Sequence, residues 1–318
     1  MQRNNLKGSI ILGTAALIWG LAFVAQSMAD KVPPFLVNCL RSFISVVFLW
    51  VLFRIQNRKT HEPVFPKNDP AKLKTVLRGS LLCGAVLTVA INFQQFGIWL
   101  YPSGESVAVE AHAGFLTALY VVLVPLFSLF AGRKISPVVW CAVAVAMVGF
   151  YLLCFQHGID GVYLGDLLCF ICAIAFSLHI LAVDRLVGPI GGVRLSMLQF
   201  AVCGIFSGIL SLVFEHSTVS WPAVWQAILP IVYLGIMSSG VAYTLQIVGQ
   251  QYAEPAIASL AMSPESVFAA LGGFVAGLLH ITEKRTLSVG ELIGCVLVFA
   301  AIIFAQLPEL MHRKKAET

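Results

Sequence analysis

The sequence predicts an all-α membrane protein: ten transmembrane helices in two inverted five-helix repeats. Three observations carry that expectation. The 318-residue chain is 59% hydrophobic and only 11% charged, with a mean hydropathy of +0.90. Soluble domains carry about 25% charged residues, so this chain could not cover a globular surface with polar groups. Apolar runs of roughly 20 residues, the length that crosses a bilayer as a helix, recur from Gly8 to Gln306. The later runs also echo the earlier ones. Because five is odd, two five-helix halves enter the membrane from opposite sides, an arrangement common in alternating-access carriers.

In chain order, spans are expected near 8–28, 35–55, 76–100, 108–131 and 137–156, then 163–183, 194–214, 224–248, 255–279 and 289–307. A β-barrel would instead alternate apolar and polar residues in short segments. The first span follows Arg3 and Lys7 without a clear small-residue cleavage site, so it reads as a retained helix. Between the second and third spans lies the one sizeable hydrophilic stretch, about 56–75, containing His61-Glu62-Pro63 and Pro66 to Pro70. Its prolines and mixed charges make it a cytoplasmic linker, too short for a catalytic domain. Pro125, Pro230, Pro255 and Pro264 mark expected bends, since proline breaks the helical ladder. The repeats are drawn as 1–157 and 158–318, the second ending in the basic tail Arg313, Lys314 and Lys315.

Charge placement orients the bundle. Of the 20 Lys and Arg residues, all except Lys31, Arg41, Lys284 and Arg285 fall on one side when the N-terminus is placed inside. The positive-inside rule then puts both termini in the cytoplasm of a multi-pass cell-membrane protein. The basic residues report topology, and no nucleic-acid partner is expected. All eight cysteines lie in or beside apolar runs. Cys169 and Cys172 have CxxC spacing but read as small packing residues one turn apart. No metal or other cofactor is expected.

The repeat is specific enough to align. Gly8 matches Gly165 and Trp19 matches Phe176; Arg41 matches Gln199; Gln95 and Tyr101 match Gln246 and Tyr252. Ala113 and Tyr120 match Ala258 and Glu265, and Ser136 and Gly149 match Ser288 and Ala301. The register shifts through extra residues near 102–112 in the first half and 278–286 in the second. Both fall at expected outward-facing connections, where insertions are tolerated.

Ala15 to Phe23 (AALIWGLAF) resembles the first-helix signature of the EamA-type family of the drug/metabolite transporter superfamily. Leu40-Arg41-Ser42-Phe43 is similar to its second helix, and Gly114 to Pro125 to its fourth. Tyr233 to Gln246 and Ser263 to Ala270 resemble its eighth and ninth. The resemblance covers essentially the whole chain. It implies ten helices in two inverted halves around a central cavity, and movement of small metabolites, often outward. The chain departs from the family pattern at Gly277 to Glu283 and at Glu105 and Glu110.

Polar side chains are costly in lipid and belong on the bundle interior or at water. Arg41 is the costliest, at roughly 2.5–3.5 kcal/mol for a central position. It is expected either to bind a carboxylate or pair with Glu265, or to anchor on carbonyls or headgroups. Asn92, Gln95 and Trp99 share one helical stripe, answered in the second half by Tyr243, Gln246 and Gln250. These are expected to line a midplane solute site, with interhelical packing the alternative. Trp19, Phe23 and Gln26 form a comparable stripe, and Tyr120, one turn from Thr117, faces Glu265. His179 is a candidate solute contact, and His112 is placed at an outer boundary. Glu265 is the candidate coupling group if transport is proton-linked.

The expected function is therefore a secondary transporter moving an amino acid or similar polar solute, outward, by alternating access. A membrane-embedded enzyme on a lipid-linked substrate is the alternative. It would call for an HExxH motif, paired acids or a phosphate loop, none of which the sequence contains. A receptor or scaffold would call for a soluble partner-binding domain. The bilayer and a small solute are the expected partners. Substrate identity, direction, coupling ion and a homodimer are left open.

Overall fold

The computed structural model describes residues 4–101, 109–154, 163–279 and 287–316, and for 109–112, 154 and 307–316 the backbone path alone. His112, Glu105 and Glu110 lie outside the described side chains, as does the boundary at 157–158. The described residues form helices joined by short connections, with no strand among them. Among the described residues, nine helices are long and apolar enough to cross a membrane, and Pro137–Leu153 is a shorter apolar helix. This is a multi-pass all-α membrane bundle.

The first half comprises α1 (Asn5–Ser27), α2 (Pro34–Gln56), α3 (Pro70–Trp99), the paired α4 (Val109–Ala118) and α5 (Tyr120–Phe130), and α6 (Pro137–Cys154). The second comprises α7 (Leu164–Ile190), α8 (Gly192–Phe214) and the short α9 (Trp221–Gln226). Its eighth span is α10 (Ile228–Tyr233), a π-helical segment (Leu234–Ala242) and α11 (Tyr243–Gly249). The ninth is α12 (Pro255–Met262) with α13 (Glu265–Leu278), and the last is α14 (Val289–Ala316).

Local chemistry sets these limits. The Asn4 side chain accepts from the Lys7 amide at the start of α1. α3 begins earlier than expected, and residues 70–75 belong to it rather than to the linker. Pro70 pre-sets the first helical φ, and the Asp69 carboxylate accepts from the Lys72 amide at 3.0 Å. α2 is capped from another helix: the Glu215 carboxylate, just after α8, accepts from the Phe35 and Leu36 amides at 2.8 and 2.9 Å. Negative charge at a helix N-terminus satisfies orphan donors and complements the helix dipole.

Packing follows the predicted symmetry. α2 lies on α8, and α6 on α14, so each of these helices meets its own repeat mate. α1 packs on α11 and α13, while α7 packs on α3, α4 and α5. Small residues permit the close approaches. A Cβ on Gly149 would lie 2.9 Å from the Gly294 carbonyl, and one on Gly294 2.5 Å from that of Gly149. Likewise Gly165 meets the Gly97 carbonyl, and Gly8 meets Ala253 and the Gly249 carbonyl. Small residues at helix crossings are how lipid-embedded helices gain contact.

The fourth and ninth spans are interrupted, and at corresponding places. The α4–α5 break is at Leu119, whose amide reaches back to Leu116, upstream of Pro125 where a bend was expected. The α12–α13 break is at Ser263-Pro264, as Pro264 predicts. There the Ser263 hydroxyl donates to the Leu260 carbonyl and the Ser266 hydroxyl to the Ser263 carbonyl. Irregular backbone inside a membrane needs such substitute partners. The register that matches Tyr120 to Glu265 also matches Leu119 to Pro264, so both breaks precede the paired residues directly.

Candidate functional site

Between the halves lies a narrow cavity lined by residues of both. The first half contributes Trp19, Ala22, Phe23 and Gln26 from α1, Arg41 from α2, Gln94 from α3, Thr117 from α4 and Tyr120 from α5. The second contributes Phe176 and Ile180 from α7, Ser238, Tyr243 and Gln246 from the eighth span, Met262 from α12 and Glu265 from α13. Four lining pairs occupy matched positions: Trp19 with Phe176, Phe23 with Ile180, Thr117 with Met262, and Tyr120 with Glu265. A pseudo-twofold relation therefore runs through the cavity.

Its walls are aromatic and its polar atoms are short of partners. The Trp19 ring stands edge-on to Tyr243, with centroids 4.8 Å apart, and Phe200 supports Tyr243 from behind at 5.2 Å. The Trp19 Nε1, Gln26 Oε1, Tyr120 hydroxyl, Gln246 Oε1 and Glu265 Oε1 have no hydrogen-bond partner among the described residues. The Tyr120 hydroxyl faces the Glu265 carboxyl. Buried polar atoms are nearly always paired with protein or water. Several polar atoms around this one space therefore have no protein partner among the described residues.

Arg41 is 2% exposed and does not pair with Glu265. Its Nε donates to the Ser239 hydroxyl and its Nη2 to the Ser238 hydroxyl, both at 2.9 Å. Headgroup anchoring does not describe it.

The Asn92–Gln95–Trp99 stripe divides. Asn92 accepts from the Asn38 amide and donates to the Ser207 hydroxyl and the Thr88 carbonyl. It joins α2, α3 and α8 and does not line the cavity. Gln95 is buried but also lies off the cavity wall, and half-exposed Trp99 donates to the Asp30 carbonyl. Gln94 takes the expected place of Gln95, its amide donating to the Thr117 hydroxyl at 3.3 Å. α3 thus turns Gln94 rather than Gln95 toward the cavity, while Asn92 is directed to α2 and α8.

His179 is fully buried, with its Nε2 2.9 Å from the Gln199 Oε1, and lies behind the wall rather than on it. Gln250 donates to the Ile180 carbonyl and is also structural. Ser238 went unremarked individually in the sequence, although two adjacent hydroxyls in an apolar span were the available signal. Cys169 and Cys172 are free and buried, and no group of three metal-ligating side chains occurs among the described residues.

Comparison with known proteins places this architecture. A model of the EamA-like transporter family matches residues 6–155 and again 163–306. A protein of Archaeoglobus fulgidus described as an uncharacterized transporter is 27% identical over 307 residues, spanning 93% of this chain and 84% of its own. A solved crystal structure superposes with a TM-score of 0.71 at 21% identity, covering 94% of this chain and 96% of the other. That likeness is one of fold.

Proposed function

The chain belongs to the EamA-like transporter family, and from that premise we propose that it is a secondary transporter exporting a small polar metabolite, an amino acid or close relative. The two halves would rock about the central cavity, exposing it to one side of the membrane at a time. The observation that carries this reading is the cavity itself: both halves line it, and polar atoms from both, among them the Trp19 Nε1 and the Gln246 Oε1, have no hydrogen-bond partner among the described residues. The matched breaks beside Tyr120 and Glu265 give each half a place to flex. We place both termini in the cytoplasm of a cell-membrane protein on the distribution of Lys and Arg.

Solute counterflow in proteoliposomes tests this. Preloaded solute should drive uptake of its labelled form, and uptake should fall when Tyr243 or Gln246 is replaced by alanine in folded protein. If no solute in a broad screen exchanges under any imposed gradient, while a lipid substrate is chemically altered, the transporter reading fails in favour of the enzyme. Glu265 is the proposed proton-coupling residue. A pH gradient should drive accumulation in the wild type, and Glu265→Gln should lose that accumulation while retaining exchange. Unchanged accumulation in Glu265→Gln would remove the proton from the mechanism.

A further inference from the structure

Arg41 presents an unusual electrostatic situation. It is 2% exposed and lines the cavity, yet its fixed partners are two neutral hydroxyls. The Nε and Nη2 donors that meet Ser239 and Ser238 lie along one edge of the planar guanidinium. No described hydrogen bond uses Nη1, and no ion pair joins Arg41 to a carboxylate among the described residues. Buried charges in proteins are otherwise paired or bound to ions. Hydroxyls can hold the group in place, but they cannot neutralise it.

The backbone behind the serines is built to hold that position. Ser238 and Ser239 lie in the π-helical segment, a wide turn that is frequent at functional sites. Two glycines seat this segment directly on α2. A Cβ on Gly235 would lie 2.6 Å from the Ile44 side chain and 3.1 Å from the Arg41 carbonyl. One on Gly240 would lie 2.7 Å from the Phe48 ring. The serines are thus fixed against the helix that carries Arg41. With the Nε/Nη2 edge held, the Nη1/Nη2 end still has a pair of parallel N–H donors, the geometry that suits a carboxylate.

The rest of the cavity agrees. Its own carboxyl, Glu265, faces Tyr120, and Tyr243 stands within electrostatic reach of both Arg41 and Glu265. The space is therefore lined by a cation, a carboxyl group and aromatic rings.

We propose that Arg41, held by Ser238 and Ser239 of the π-helical segment, is the subsite for a carboxylate on the transported solute. This rests on the transporter reading and names the solute group, the carboxylate, that Arg41 would hold. Arg41 contacts the solute; the serines are positioning residues that act through it. Lysine would keep the charge but lose the planar fork.

The test uses full-length protein in liposomes and two matched pools, free amino acids and the same amino acids as their carboxamides. Wild-type protein should take up the free acids at least about tenfold better than the amides, because a charge-assisted fork is lost in the amide. Arg41→Gln should bring that ratio close to one, and Arg41→Lys should restore it only in part. The double variant Ser238→Ala/Ser239→Ala should raise KM for the acids more than it lowers the maximal rate. A purely structural pair would not shift acid-to-amide selectivity. If the arginine variants do not fold, the wild-type ratio still decides. Equal uptake of both pools, uptake of neither, or a ratio unchanged in folded Arg41→Gln would each overturn the proposal. The transporter reading falls separately, only when no solute of any class exchanges.

Discussion

The Trp19 indole meets Tyr243 edge-on at 4.8 Å and 67°, joining the first helix of one half to the eighth span of the other across the cavity wall. Such aromatic pairs contribute about 0.5–1.5 kcal/mol beyond the area they bury. Trp19→Ala should therefore lower stability in detergent by about 1–2 kcal/mol and weaken solute binding. Trp19→Phe should recover most of both. Thermal unfolding and counterflow on the two variants check this; equal behaviour of Ala and Phe would argue against a ring contact.

At Gly20, α1 lies close against the α13 backbone. A Cβ there would lie 2.3 Å from the Phe268 Cβ and 2.7 Å from its carbonyl carbon, whereas one at Gly13 meets nothing within 4 Å. Gly20→Ala should cost about 1–3 kcal/mol by overpacking against backbone, and Gly13→Ala should be tolerated. Paired melting curves separate the two.

The Glu215 carboxylate closes the start of α2 through two amide donors. Replacement by alanine leaves both amides without that acceptor and should lower stability by about 1–3 kcal/mol. Glu215→Gln, which retains one acceptor oxygen, should lose less. Thermal unfolding measures the order wild type, Gln, Ala.

At the other end of the bundle, Glu62 ties the α2–α3 loop to the start of α8. Its Oε1 accepts from Arg194 at 2.9 Å and Lys72 at 3.0 Å, and Arg194 also donates to the Pro63 carbonyl and lies over the Phe53 ring. The hydrogen bond from Arg194, followed by that from Lys72, holds the Glu62 carboxyl below the usual carboxylate range. A depressed folded value means the tie contributes fully above the unfolded carboxyl pKa of about 4.3 and is lost as pH falls through the lower folded value. Glu62 is 40% exposed, so salt should weaken the tie as well. Hydrogen exchange across 57–69, corrected for intrinsic rates, should rise only below that window in the wild type. In Glu62→Gln it should already be raised at pH 7.

The sequence made the bundle legible because lipid leaves few options: continuous apolar runs must be helices, and basic residues mark one side. Matched Gly and Tyr positions revealed the repeat, and Trp19, Gln26, Tyr120, Tyr243, Gln246 and Glu265 all line the cavity. Helical spacing alone could not say which face of α3 turns inward. Asn92 was polar because it bridges three helices, while Gln94, not Gln95, lies on the wall. Nor could spacing show that Arg41 belongs to Ser238 and Ser239, since the eighth span widens into a π-helix there. Both differences arise from side-chain partners far away in sequence.

Adjacent glutamines therefore give the most direct test that this cavity is the solute site. Counterflow should be measured for Gln94→Ala, Gln95→Ala and Gln246→Ala, each at matched, folded levels in proteoliposomes. The cavity account predicts at least about tenfold weaker apparent affinity for Gln94→Ala and Gln246→Ala, the loss expected when a polar contact to solute is removed, with a smaller change for Gln95→Ala. Wild-type kinetics in Gln94→Ala and Gln246→Ala, with transport lost only in Gln95→Ala, would contradict it.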